Sequence, residues 1–216
     1  MTSWRDRNLD SRYNGWTPRN ALSRISKFSG KTRFVVSRIF IHLTGEEIAP
    51  MLGILNRVAR EAIDSDGDLE ALGEGLVSVC QSLLEMSQYW QSAANEGDVV
   101  WDEGEAGDYV NELFTDSAQR YLSGIETEAA GEDEPLSLPA TRNLVIMLTV
   151  AFEGESADLE NDLANIEALE YGLKALINLH YQEKLRAIQI HFSPARLGDE
   201  LDDEQLLLNF PELIPL

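Results

Sequence analysis

Three aspartates at alternate positions, Asp64, Asp66 and Asp68, have the spacing that begins a calcium-binding loop. A calcium loop of the helix-loop-helix type needs oxygen ligands at its first, third and fifth positions, a glycine at the sixth and a bidentate glutamate at the twelfth. Counted from Asp64, the sixth position is Leu69 and the twelfth is Gly75. Because the turn residue and the strongest ligand are both missing, we interpret the stretch as a turn and a helix start. In this interpretation Asp64 or Asp66 caps the helix, and Asp68 adds negative charge to its first turn.

Histidine and cysteine offer little other chemistry. His42, His180 and His191 are far apart in the sequence, and Cys80 has no CxxC partner. His42 and His191 fall in predicted strands and would be neighbours if those strands pair. Cys80 falls on the apolar face of a predicted helix, where a buried thiol is usually inert. No GxSxG, Walker-type or GxGxxG motif occurs, so we expect no catalytic residues, no metal and no cofactor.

The charge of the 216-residue chain is divided unevenly around a net value of −21. Residues 1–42 contain nine Lys/Arg and two Asp/Glu, whereas residues 43–216 contain eight Lys/Arg and 36 Asp/Glu. So many carboxylates without a perturbed environment form a solvated surface rather than an acid/base pair. An acidic surface also repels nucleic acid at long range, so we expect no nucleic-acid binding. The division predicts a basic flexible arm over residues 1–32 and a single acidic domain over residues 33–216.

The arm contains the residues that we expect to contact a partner. Thr17 and Pro18 are typical of a helix start, and a short basic amphipathic helix follows them. Such a segment can dock into an acidic groove of a protein partner, or lie peripherally on an anionic membrane. It can also fold back on the acidic body of its own chain or of a second copy, which leaves a homo-oligomer open. The candidate contact residues are Trp4, Trp16, Arg19, Leu22, Arg24, Ile25, Lys27, Phe28 and Lys31.

Hydrophobic periodicity predicts the elements of the acidic domain. Strands are predicted at 33–43, 144–152 and 187–192, with a short extended piece at 99–101. Helices are predicted at 48–62, 69–83, 109–121, 158–180 and 203–208. A capping-box pattern, Thr44-Gly45-Glu46-Glu47, precedes the first of these helices. The apolar run 144–152 is too short to span a membrane as a helix, which takes roughly 20 residues.

These elements predict an α+β fold with a small mixed sheet of about three strands packed with several helices. The first two helices would form a helical hairpin. A strand, a long helix and a second strand at the C-terminal end suggest a βαβ-like unit with parallel strands. An alternative separates a helical lobe, 44–122, from a βαβ lobe, 140–216. We prefer one domain, because the strand at 33–43 has no partner outside the C-terminal lobe.

The C-terminal sequences AIQIHFSPA (187–195) and DELDDEQLLLNFPELIPL (199–216) resemble the end of a cyanobacterial and chloroplast family, domain of unknown function 1517. NLVIMLTVAFEGE (143–155) resembles a strand of that family, and RFVVSRIFIHL (33–43) lies where the family has its first strand. The resemblance covers about residues 33–216. Many members carry an N-terminal targeting or membrane segment, and this sequence has the basic arm in its place.

The resemblance implies a setting near the photosynthetic apparatus, since plant relatives are linked to thylakoids and to acclimation of photosynthesis. It supplies no catalytic residues. We therefore expect a non-catalytic interaction or regulatory protein in the cytoplasm of a cyanobacterium, peripheral at the thylakoid membrane, with the arm as its contact. The alternative is an enzyme or a small-ligand-binding protein with a site between the sheet and the helices.

Overall fold

A computed structural model describes residues 32–123, 142–194 and 201–216. Residues 1–31 of the predicted arm, which include all of its candidate contact residues, lie outside these ranges, and so do residues 124–141. The described residues form five strands, β1 (Phe34–Thr44), β2 (Trp90–Val100), β3 (Asn143–Glu153), β4 (Leu185–Ser193) and β5 (Ile214–Pro215). They also form five α-helices, α1 (Ala49–Asp64), α2 (Leu69–Glu85), α3 (Glu103–Ser123), α4 (Ile166–Tyr181) and α5 (Asp203–Asn209).

The strands make one sheet in the order β4-β3-β1-β2-β5, and every pair in it is antiparallel. The fold is therefore α+β as predicted, but the prediction of a mixed sheet with about three strands is wrong. The sequence predicts only the end of β2, as the short extended piece at 99–101, and does not predict β5, because both strands carry little strand signal. β2 reads WQSAANEGDVV, in which small and polar residues dominate, and β5 has only two residues.

The central strand β1 separates two cores. Its residues Val35, Ile39 and Ile41 face a large apolar core built with α1, α2 and α4. Its residues Val36 and Phe40 face the opposite side, where α3 and the C-terminal segment cover the sheet. A strand that is buried on both faces explains why the run FVVSRIFIHL is apolar almost throughout.

The predicted βαβ unit with parallel strands is also wrong, because β3 and β4 are antiparallel neighbours. The predicted helix at 158–180 starts only at Ile166, with the Asn165 side chain as its cap. The segment before it reaches the middle of β2, where Asn95 bonds both the Asn161 carbonyl and the Leu163 amide, each at 2.9 Å. α4 then returns the chain to the end of the sheet where β3 finishes, so β4 must run antiparallel to β3.

The helical hairpin of α1 and α2 is confirmed, and its turn contains the alternating aspartates. Asp68 is the cap of α2, and its carboxylate accepts a hydrogen bond from the Ala71 amide at 3.1 Å. Asp66 and Gly67 take positive φ angles of 53° and 73° inside the turn. The prediction that Asp64 or Asp66 provides the cap is therefore wrong, because the cap is Asp68. The capping box at Thr44 is also absent, because the Thr44 hydroxyl donates to Arg142 and Asn143.

Candidate interaction site at the edge of the sheet

β4 is the outermost strand on its side of the sheet. It pairs with β3 on one side, and no other strand of the described residues lies on its second side. In an antiparallel strand, alternate residues direct their N–H and C=O groups toward such an open side. Residues 188–192 read IQIHF and carry no Lys, Arg, Asp or Glu. An uncharged open edge of this length can pair with another strand, because nothing in its sequence opposes it.

Helices on both faces of the sheet line a groove at this edge together with β4. We call it the β4 groove and define it by its lining. Its volume is about 230 Å³. The lining residues are Leu55, Val58, Ala59 and Ala62 of α1, Leu72 of α2, Phe114 of α3, and Ile188, Gln189, Ile190, His191 and Phe192 of β4.

The two walls of the β4 groove differ in chemistry. Ile188 packs into the large core, and Ile190 packs against it beside α1 and α2, so this wall is apolar. Gln189 lies across the sheet from Thr149 on the face covered by α3. His191 lies on the same face, with its ring centroid 5.0 Å from that of Phe114. Phe114 is 46% exposed, which is high for a large aromatic residue and leaves its ring accessible from the groove.

Two polar atoms at the α3 wall have no partner among the described residues. Gln189 Oε1 and His191 Nδ1 are both shielded from solvent and make no hydrogen bond. A buried polar group without a partner typically destabilises a fold by about 1–3 kcal/mol. Burial lowers the pKa of His191, and the positive charge of Arg38 lowers it further, so the ring is neutral at neutral pH. The wall therefore offers hydrogen-bonding capacity that the protein itself does not use.

Arg38, close to this wall, has no such spare capacity. Its Nε donates to Glu96 at 2.8 Å, and its Nη1 donates to the Leu113 carbonyl at 3.1 Å and to Ser117 Oγ at 2.9 Å. Its Nη2 donates to Glu96 and, at 2.8 Å, to Asp116. Arginine has five N–H groups, and all five are engaged. This arginine therefore joins the sheet to α3 and is not a ligand-binding group.

The C-terminal motif FPELIPL (210–216) is anchored to the same network through Arg120. Its guanidinium donates to the Asn209 carbonyl at 2.9 Å and to the Glu212 carboxylate. It also lies 5.3 Å from the ring centroid of Phe40 and 6.0 Å from that of Phe210. Arg120 thus holds the C-terminal motif, which carried the resemblance, against α3. No local pattern predicts this role, because Arg120 and Glu212 are far apart along the chain.

The histidines and the cysteine do not form a joint site. His42 and His191 are not on paired strands, because β3 lies between β1 and β4. His42 Nδ1 lies 3.1 Å from Ser92 Oγ, and its Nε2 lies 3.1 Å from Asn143 Oδ1. That order of groups is found in hydrolytic triads, but the Ser92 hydroxyl is buried within the sheet. Cys80 is fully buried and burial raises its pKa, which makes its thiol unreactive.

A second cleft lies between α2 and α4, with a volume of about 450 Å³. Glu70, Glu74 and Glu183 line it, and His180 Nε2 lies 3.8 Å from Glu70. The cleft is acidic and open, which is typical of a solvated surface. Across the part of the chain that the structure describes, no group of three or more metal-ligating side chains comes together.

Comparison with known proteins places the chain in a family. The family model described as Protein of unknown function (DUF1517) matches residues 33–216. The chain belongs to this family. The match begins one residue before β1 and runs to the end of the C-terminal motif, which confirms the resemblance. No curated protein and no solved structure matches this DUF1517 chain.

None of the described helices of the DUF1517 chain combines the length and the apolar character needed to cross a membrane.

Proposed function

We propose that this DUF1517 protein is a non-catalytic interaction protein that binds an extended segment of a partner in the β4 groove. The observation that carries the proposal is the open, uncharged edge of β4 inside an apolar groove. Addition of a strand to an exposed sheet edge is a common mode of peptide recognition. The main-chain hydrogen bonds supply affinity, and the pockets for alternate side chains supply specificity.

The size of the β4 groove favours a peptide over a metabolite or cofactor. Pockets for drug-sized ligands usually measure about 300–1,000 Å³, and the groove is smaller, at about 230 Å³. Its length along five residues of β4 suits the main chain of a strand with one or two anchoring side chains. The residues that line it are apolar apart from Gln189 and His191, and none of them is Lys, Arg, Asp or Glu. These features weigh against an enzyme or a small-ligand-binding protein.

The family resemblance supports the setting of this proposal, which is the surface of the photosynthetic membrane in a cyanobacterium. In that setting we propose the basic arm as a second contact, through its aromatic, apolar and basic residues 4–31. The arm and the acidic domain have opposite charge, so the arm can bind an anionic surface that the domain repels. A full-length variant with Arg19, Arg24 and Lys27 changed to Glu tests the arm, and we expect weaker sedimentation with anionic vesicles. Unchanged sedimentation would exclude the arm as the membrane contact.

Affinity purification from the source cells tests the groove. Ala59 is exposed on α1 and lines the groove, so Ala59→Arg fills it without changing a core residue. Gly53→Arg is the matched control, because Gly53 is exposed on the same helix and has no atom within 4 Å of an added Cβ. We expect Ala59→Arg to lose partners that the unmodified chain and Gly53→Arg retain. Retention of the same partners by both variants would contradict the proposal.

A further inference from the structure

We infer that the occupant of the β4 groove is a basic, extended segment of another protein, in which apolar side chains alternate with hydrogen-bond donors. This inference rests on the proposed function and adds the chemistry of the partner. It follows from three features of the groove, which are its helical walls, the different chemistry of the two walls and the charge at its rim.

The helical walls favour a single extended segment over a second copy of the chain as the occupant of the groove. α1 and α2 flank β4 on one face of the sheet, and α3 flanks it on the other. A second copy could pair its own β4 here only by bringing its own flanking helices into the same space. The charge also opposes a second copy, since residues 43–216 hold 36 acidic and eight basic residues. A single extended segment has neither obstacle.

The difference between the two walls predicts that apolar and hydrogen-bonding side chains alternate along the occupant. Side chains of an added strand point alternately to the two faces of the sheet. Those on one face meet Leu55, Val58 and Leu72, which accept apolar side chains. Those on the other face meet the exposed Phe114 ring and the polar residues Gln189 and His191, which line the groove. Asn, Thr or Gln side chains of a partner suit this second wall.

The charge at the rim of the groove predicts that the occupant is basic. Ala62 and Leu72 line the groove from α1 and α2, and the turn between these helices contains Asp64, Asp66 and Asp68. All three aspartates are exposed. The turn therefore lies at the end of the groove that Ala62 and Leu72 line, and a Lys or Arg that follows the apolar segment can pair with its exposed carboxylates. The aspartates that resemble a calcium loop thus acquire a role in partner selection.

Three synthetic peptides of about nine residues test the inference on the full-length protein. The first alternates valine with asparagine and carries two lysines at each end. The second has the same composition in an order without alternation, and the third has glutamates in place of the lysines. We expect the first peptide to bind about tenfold more tightly than either of the others by fluorescence anisotropy. We also expect it to slow hydrogen exchange at alternate amides of residues 188–192.

Variants of the protein complete the test. Ala59→Arg should reduce binding of the first peptide about tenfold or more, and Gly53→Arg should leave it unchanged. The double variant Asp64→Asn/Asp66→Asn should weaken the first peptide and not the third, since only the first carries lysines. It leaves Asp68, the cap of α2, in place.

Equal binding of the first two peptides, or unchanged exchange in β4, would overturn the inference. If a cellular partner still requires an open groove at Ala59, the proposed function would survive that failure. If the β4 amides exchange slowly in the free chain and faster in the arm variant, the groove is assigned to the chain's own arm. That result would overturn the inference. A dimer of the unmodified chain that Ala59→Arg abolishes would also overturn the inference, because it would assign the groove to a second copy.

Discussion

Arg38 of β1 and Glu96 of β2 lie directly opposite each other in the sheet, and the Arg38 guanidinium bonds the Glu96 carboxylate through two of its nitrogens. Arg38 is only 2% exposed and also bonds Asp116 of α3. Two carboxylates therefore share one buried cation, and Asp116 also pairs with Arg120 at 3.0 Å. Removing one member of such a network leaves the others without compensation, which is why buried ion pairs are sensitive to single substitutions.

Replacement of Arg38 by Leu is expected to lower the free energy of unfolding by about 3–5 kcal/mol, since Glu96 would lose its arginine partner and Asp116 would lose one of its two. Urea denaturation measures this loss. Arg57→Leu is the control, because Arg57 and Glu61 form an exposed ion pair on α1 at 3.2 Å. An exposed pair of this kind contributes about 0–1 kcal/mol. Similar losses for the two variants would contradict the structural role of Arg38.

We expect the titration of Asp116 to contribute to the pH dependence of stability. Burial raises the pKa of this carboxyl, but the hydrogen bond from Arg38 and the charges of Arg120 and Arg38 outweigh burial and hold the pKa below its ordinary value of 3.8. The ionised carboxylate is favoured in the folded state, so its contribution is present above about pH 4 and is lost as the pH falls through the lowered pKa. Asp116→Asn removes this titration. The variant's unfolding free energy should therefore fall less steeply below pH 4 than that of the unmodified chain, and parallel curves would refute this assignment.

Gly73 lets α2 approach α4. A Cβ at this position would lie 2.1 Å from His180 Nδ1, which is closer than any real contact. Gly73→Ala should therefore destabilise the protein by about 1–3 kcal/mol through overpacking. Gly53→Ala on α1 should stabilise it by up to about 1 kcal/mol, because alanine favours a helix and nothing lies near the new Cβ. In a His180→Ala background the loss at Gly73 should disappear, and a loss that persists would exclude the His180 contact as its cause.

Asp68 acts as a helix cap, and this assignment can be separated from calcium binding. Asp68→Ala should lower the free energy of unfolding by about 1 kcal/mol, which is the usual effect of losing a cap. A metal ligand would behave differently, since bound calcium would raise the unfolding midpoint of the unmodified chain. Thermal unfolding with and without millimolar calcium should give the same midpoint, and a calcium-dependent increase would contradict the cap as the main role.

The sequence predicted those parts of the fold that local periodicity determines. The strand signal over 33–43 corresponds to β1, and the helical signals around Val58 and Val79 correspond to α1 and α2. It failed at β2, where the strand is held by pairing with β1 and by contacts of Asn95 and Glu96 with distant residues. It also failed for the direction of β4, because residues 154–165 form an irregular segment with a turn at 157–159, which no periodic pattern marks.

The candidate site was less predictable than the fold. Residues 187–192 were predicted as a strand, but no local signal indicates that this strand lies at an edge. The groove depends on α1 and α3 meeting there from opposite faces, which places Ala59 and Phe114 on the two sides of β4. Ala62 and Leu72 looked like ordinary core positions in the sequence. Their role in the groove follows from tertiary packing alone.

Hydrogen exchange on the full-length protein, with and without an affinity-purified cellular partner, tests the central claim most directly. If the partner adds a strand to β4, alternate amides within residues 188–192 should exchange more slowly in the complex. Residues 96–100 of β2, toward the opposite edge of the sheet, should not change. Protection elsewhere on the protein, with exchange in β4 unaltered, would contradict the assignment of the β4 groove as the interaction site.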